Sequence, residues 1–350
     1  MRLPPRWLRR LVIAPLLVVG MTVALLAMPI WVLAAFIVSR LVPGRWRILR
    51  ISWFLFLYLL VEVAALLALF ALWVGSGFGW KIRTPESLRR HYRVLGWMLR
   101  RVIRSALVTF KLTVVADGPR LTTVGPEGRR PVLVLSRHAG PGDSMLLMDG
   151  LVNEYRRNPR IVLKEFMQWD PGVDVILNRL PTAFVPVGRK GGEQLLESIS
   201  ALTRDLGSDD AFVIFPEGAN YTETRHARAI HKLREIGRPD LAERAEQLRK
   251  TLPPRATGVK AAVAAAPSNS DVVFVGHAGL EAFVTPGDIW RAIPMDTHIA
   301  VRLWHFRADV IPGQDGLETW LYDVWAEIDQ WINSNLSDTG ELAFDDPDAY

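Results

Sequence analysis

Residues 131–150 read PVLVLSRHAGPGDSMLLMDG. Val132 to Leu135 is an unbroken apolar run, the pattern of a buried strand. The run stops at Ser136-Arg137, and His138 comes next, where a strand gives way to a loop. Gly140, Pro141 and Gly142 make a turn. Asp143 or Ser144 suits the cap of a helix that starts at Met145. An imidazole and a carboxylate five residues apart are thereby folded toward each other. A carboxylate on one ring nitrogen fixes the tautomer and leaves the other nitrogen free to take a proton, which equips a general base. The spacing by itself also fits a loop histidine beside a helix cap.

Outward from this stretch, strand and helix patterns alternate. Strands are expected near 110–116, 131–136, 160–163, 183–187, 211–215, 271–276 and 297–306. Helices are expected near 85–108, 144–156, 191–205, 223–250 and 317–334. The alternation argues an α/β domain with a mixed, mostly parallel sheet flanked by helices. In the helix over 85–108, Leu88, Tyr92, Leu95, Met98, Val102 and Ile103 form an apolar stripe with arginines largely around it. That stripe suits either a membrane interface or packing on the sheet. The charged stretch 223–250, broken at Gly237-Arg238-Pro239, reads as a solvent-exposed excursion.

A second motif, Phe215-Pro216-Glu217-Gly218, also ends an apolar strand. With the His-x4-Asp box upstream, the pair resembles the glycerolipid acyltransferase family over about residues 105–335. The resemblance implies that His138 and Asp143 form the catalytic pair. It implies that Arg189, shortly after the strand ending in Phe184-Val185-Pro186-Val187, and Lys164, upstream of Pro171-Gly172, hold an anionic acceptor. Gly218 lets the chain turn, and Glu217 is expected to pair with Arg189 or Lys164 or to bond an acceptor hydroxyl. The downstream Leu252-Pro253-Pro254-Arg255-Ala256-Thr257-Gly258 is similar to a segment of the longer, eukaryote-like lysophospholipid acyltransferases. Three departures stand out. Arg137 replaces the Asn or small residue that usually precedes the histidine, the box continues as Ala-Gly-Pro-Gly, and the strand over 271–276 has no proline. His277 has no assigned role, and His226, His231, His298 and His305 read as surface or packing residues.

The 350-residue chain has no cysteine, which excludes disulfides, thiolate catalysis and cysteine metal sites. It is half apolar, and the excess is local. Residues 11–38 carry no charge and residues 51–75 only Glu62, each longer than the ~20 residues that span a bilayer. They read as a retained anchor rather than a cleaved signal. Three regions result: an anchor with two hydrophobic helices over 1–83, a catalytic domain over 84–336 and an acidic, disordered tail over 337–350. The net charge of +6 hides an asymmetry, since residues 1–105 hold 16 basic and 2 acidic residues. The basic residues flank the apolar segments, as anionic lipid requires, and the acidic remainder argues against a nucleic-acid partner.

There is no Gly-x-Ser-x-Gly elbow, zinc-protease motif or phosphate loop. The family resemblance implies direct acyl transfer without metal or cofactor, from acyl-CoA or acyl-carrier protein to a lysophospholipid hydroxyl. Lysophosphatidate is the simplest acceptor. The alternatives are another lysophospholipid acceptor, a CoA-independent transacylase, or a non-catalytic membrane lipid-binding protein of the same fold. The expected location is the bacterial inner membrane, with the catalytic domain on the cytoplasmic face.

Overall fold

In the computed structural model, the described residues are 3–340 except 43, 118–127, 141, 187–191, 282 and 284. Residues 341–350 of the expected tail therefore lie outside the described residues. The elements in chain order are α1 (Arg6–Leu8), a π turn at Arg9–Ile13, α2 (Ala14–Leu26), α3 (Met28–Leu41), α4 (Arg47–Gly75) and α5 (Pro85–Phe110). Then come β1 (Leu112–Asp117), β2 (Val132–Ser136), α6 (Asp143–Asp149), β3 (Asn158–Lys164), α7 (Pro171–Leu177), β4 (Thr182–Val185) and α8 (Gly192–Thr203). The last are β5 (Asp210–Ile214), α9 (Glu223–Glu235), α10 (Pro239–Glu246), α11 (Ala256–Ala265), β6 (Asp271–Ala278), α12 (Pro286–Ala292), β7 (Thr297–Phe306) and α13 (Leu317–Gly340). The architecture is α/β, with a mixed, mostly parallel sheet flanked by helices.

The chain divides into two compact units. One comprises Met1–Leu112, Met145–Leu195 and Trp290–Asp296. It holds the N-terminal helices and the parallel pair β3–β4, in register from Ile161 opposite Thr182 to Lys164 opposite Val185. Two of its helical stretches, Arg6–Leu26 and Arg47–Gly75, are long and apolar enough to cross a membrane. The first expected apolar helix is broken at Ala27, whose ψ of 0° ends α2. Pro29 then sits in the first turn of α3, where a missing N–H is harmless.

In α5, the Thr84 hydroxyl caps the first turn by accepting from Ser87 N–H at 3.4 Å. The apolar stripe of α5 is used inside the protein. Tyr92, Leu99, Val102 and Ile103 are buried, and Tyr92 packs with Leu69 of α4 and with Ile176 and Leu180. Arg89, Arg90, Arg93, Arg101 and Arg104 face outward. The stripe packs mainly on α4 and on the segment around Ile176 and Leu180.

The other unit comprises Thr113–Ser144, Leu196–Ile289 and Thr297–Tyr350. Its strands run in the order β1-β7-β6-β2-β5. β2 pairs in parallel with both β5 and β6, and β6 pairs antiparallel with β7. β2 and β6 are buried at every residue, which is why they read as continuous apolar runs. Phe274 of β6 meets Phe306, Trp320 and Trp325 edge-on, so α13 seals the sheet with aromatic rings. In the stretch 223–250, α9 buries no residue, as expected of an exposed excursion, and the break falls at Gly237-Arg238-Pro239; α10 departs from it. Gly237, at φ +74°, ends α9, and Pro239 opens α10, whose Leu241, Ala242 and Ala245 are buried.

Trp325 is fully buried and its Nε1–H donates to the Leu252 carbonyl at 3.1 Å. Trp325→Ala is expected to cost about 3–5 kcal/mol. A urea titration checks this; a change within ~0.5 kcal/mol, as for a surface site, contradicts the packing described.

Candidate active site

The parallel pairing of β2 with its two neighbours sets the site. Leu135 lies opposite both Ile214 of β5 and Phe274 of β6, and Ser136 opposite Val275. β2 and β5 therefore end within one residue of each other, β6 runs three residues further, and their carboxyl ends deliver three segments to one edge. These are Arg137-His138, Phe215-Pro216-Glu217-Gly218, and the His277-Ala278 end of β6 with the turn after it. The carboxyl ends of parallel strands are where open α/β sheets place ligands.

His138 Nδ1 lies 2.8 Å from Asp143 Oδ2. The same oxygen accepts the N–H of Ala139 at 2.9 Å and of Gly140 at 3.3 Å. Its partner oxygen accepts the Ser144 N–H at 2.5 Å and hydroxyl at 3.0 Å. Burial raises the Asp143 carboxyl, but the His138 hydrogen bond and charge and these backbone donors outweigh it and leave it below its ordinary value. Asp143 is thus an anion at neutral pH. As an acceptor it assigns the proton of His138 to Nδ1, leaving Nε2 as the basic nitrogen. No described residue bonds Nε2, and the side chain is 31 % exposed. The Phe215 ring packs on the imidazole at 5.1 Å between centroids. Gly140 is required by space, since a Cβ there would stand 2.9 Å from the Leu280 carbonyl oxygen.

Glu217 has no cationic partner among the described residues of its unit. Its Oε1 accepts the His138 N–H at 3.1 Å and its Oε2 the Leu252 N–H at 2.9 Å. It is 1 % exposed. Of the partners expected for Glu217, Arg189 lies outside the described residues and Lys164 in the other unit; within its own unit the carboxylate is held by these two main-chain N–H groups. Burial pushes its carboxyl up to about 7, against the opposing pull of Arg137 and the two N–H donors.

Arg137 is wholly buried. Its Nη1 donates to the His277 carbonyl at 2.6 Å and to Glu281, and its Nη2 donates to the Lys250 carbonyl at 2.7 Å. One guanidinium thus ties β6, the turn after it and the 249–252 segment to the residue before His138. Asp329 of α13 fixes that segment from behind, accepting Arg249 N–H at 2.9 Å, Lys250 N–H at 2.7 Å and the Thr251 hydroxyl at 2.9 Å. His277 is buried with its Nε2 3.7 Å from Asp143 Oδ2. Burial drives its imidazole down to about 4, so it is neutral. Sequence reasoning misses Arg137, His277, Glu281 and Asp329 as residues of the site. The one signal is an arginine closing an otherwise apolar strand.

Gly218 adopts φ +70°, the left-handed turn that the motif requires. Lys164 ends β3, exposed, in the other unit. Arg189 lies outside the described residues. Among the described residues, no group of three His, Asp or Glu side chains is arranged to hold a metal ion.

The edge so described is that of an α/β enzyme with a histidine–aspartate pair at the end of a central parallel strand. Residues 117–276 match the family model described as Acyltransferase. That segment is an acyltransferase domain of the glycerolipid acyltransferase family, and the protein is accordingly an acyltransferase. No curated protein and no solved structure matches the chain.

Because Glu217 is raised from its ordinary 4.5 to about 7, the folded state holds its proton more tightly than the unfolded one. The stability this contributes is complete below pH 4.5 and is lost as pH rises toward 7. Glu217→Gln removes that dependence. Relative to wild type, the variant is expected in thermal melts to gain stability as pH rises from 5 to about 7 and then to level off. A constant difference across that range contradicts an ionisable group in this environment.

Proposed function

We propose that the protein transfers a fatty acyl group from a thioester, acyl-CoA or acyl-carrier protein, to the free hydroxyl of a lysophospholipid, most simply lysophosphatidate. The observation that carries the reading is the 2.8 Å bond between His138 Nδ1 and Asp143 Oδ2, which leaves Nε2 open at the strand edge. Nε2 takes the proton of the acceptor hydroxyl as its oxygen attacks the thioester carbonyl. Asp143 stabilises the imidazolium. Collapse of the tetrahedral adduct expels the thiolate, which takes the proton back from Nε2. The ester and a free thiol leave, and the enzyme is unchanged. Lys164 and Arg189, by the family resemblance, supply cationic grip on an anionic acceptor. The reaction as proposed uses no metal or cofactor.

The anchor, in this reading, is embedded from the cytoplasmic side of the inner membrane and does not cross it. α4 and α5 run antiparallel along their length. Arg50 Nη1 donates to the Thr109 carbonyl at 2.6 Å and Phe54 meets Phe110 at 5.0 Å near one end, while Leu69 meets Tyr92 near the other. If α4 spanned the bilayer, the outward arginines Arg89, Arg93, Arg101 and Arg104 of α5 would lie at hydrocarbon depth. Each would cost about 2.5–3.5 kcal/mol at the centre. The acidic residue within α4 points to the same arrangement, because Glu62 accepts the Gly172 N–H at 2.7 Å inside the protein. Arg45, between the two apolar segments, bonds Asp296 at 2.7 Å. Leu55, Leu60, Leu67 and Phe70 leave one face of α4 for lipid.

His138→Ala is expected to lower the transfer rate by about 10²–10⁴-fold with the fold intact. Asp143→Asn is expected to be nearly as damaging. Steady-state transfer to lysophosphatidate by purified, circular-dichroism-checked variants measures both, and near-wild-type turnover in His138→Ala removes the mechanism. For the anchor, Arg45→Cys gives this cysteine-free chain a single thiol. An impermeant thiol reagent is expected to leave it unlabelled in intact cells and to label it after lysis. Labelling from outside establishes two crossings.

A further inference from the structure

The candidate base and its carboxylate are accounted for, but a substrate bearing phosphate needs a cation at the same edge. Asp143 and Glu217 supply only negative charge there. Arg137, the nearest arginine in sequence, is consumed by two carbonyls and Glu281 and is fully buried. Lys164 and Arg189 are assigned to the acceptor by the family resemblance alone.

One further arginine is fixed to the Phe-Pro-Glu-Gly turn itself. The Arg255 N–H donates to the Pro216 carbonyl at 3.0 Å, so its backbone is tied to the turn that carries Glu217. Its guanidinium lies against Gly218. A Cβ built there would stand 3.1 Å from Nη1 and 3.2 Å from Cζ of Arg255. Gly218 therefore does two things: it takes the φ of +70° that the turn needs, and it offers a flat surface to the guanidinium. The side chain remains exposed, and among the described residues no carboxylate or carbonyl accepts from it. Packed on one face and unpaired, it presents the planar fork that suits a phosphate bidentately. The neighbouring Glu217 does not quench it, since both carboxylate oxygens are held by the N–H groups of His138 and Leu252.

We propose that Arg255 is a substrate-binding residue that holds a phosphate group of the acceptor lipid or of the acyl donor beside His138, using Gly218 as its platform. The substrate class rests on the acyltransferase reading, but binding can be measured without turnover. The test uses the full chain in detergent micelles in a His138→Ala background. Two phosphate-bearing probes, lysophosphatidate and CoA, are titrated separately against Arg255, Arg255→Lys and Arg255→Ala versions.

Arg255→Ala is expected to weaken one or both probes by tenfold or more. Arg255→Lys should recover part of that loss, because the charge returns without the fork. Loss confined to lysophosphatidate assigns the phosphate to the acceptor, and loss confined to CoA assigns it to the donor. Failure of both probes to bind the Arg255-containing protein, or affinities unchanged within twofold by Arg255→Ala for every probe that binds, overturns the assignment. Absence of acyl transfer by the wild-type chain, with Arg255-dependent binding intact, would instead remove the catalytic reading and leave this one standing.

Discussion

Parallel pairing of β2 on both edges is the constraint on which the rest of the structure depends. The register that sets Leu135 opposite Ile214 and Phe274 brings three segments separated by up to 140 residues to one edge. A slip of one residue would turn every side chain to the other face and part His138 from Glu217.

At the edge so formed, charges are held by the main chain as much as by one another. Asp143 gathers three backbone N–H groups besides His138, and Glu217 gathers two. Hydrogen bonds to a carboxylate are stronger than those between neutral groups and hold the loop without a counter-ion. Arg137 does the converse for carbonyls, drawing those of His277 and Lys250 onto one guanidinium. A buried arginine with one partner removed is costly, so this cluster specifies a single loop geometry more than it adds stability. The loop that carries His138 is thereby held on every side that solvent does not reach, while the imidazole itself stays accessible.

Much of this is legible in the sequence. The seven expected strands correspond to the seven described strands, with ends within two residues wherever both ends are described, and β2 is the clearest because it is apolar apart from Ser136 and buried at every residue. The His-x4-Asp spacing places the imidazole and carboxylate together since the turn between them is local. Helices α7 and α11 escape sequence reasoning for physical reasons. The first opens with Pro-Gly, which reads as a turn, and the second is built of small residues with Gly258 inside it. Glu217 reads as an anion seeking a cation or a substrate hydroxyl, because sequence does not report burial. Arg137 and Glu281 are 144 residues apart, so their pairing has no local signature. Arg255 is visible in sequence only as part of a similar segment, and its seat on Gly218 needs coordinates.

In the proposed reaction an imidazole at position 138 is the base of a direct transfer. Chemical rescue tests it most directly. In a His138→Gly variant, free imidazole added to the acyl-transfer assay is expected to restore activity in proportion to its neutral form, with no acyl adduct on the quenched protein by intact-mass spectrometry. A variant that turns over at the wild-type rate without imidazole would contradict the account, and so would an acyl group found covalently on the chain.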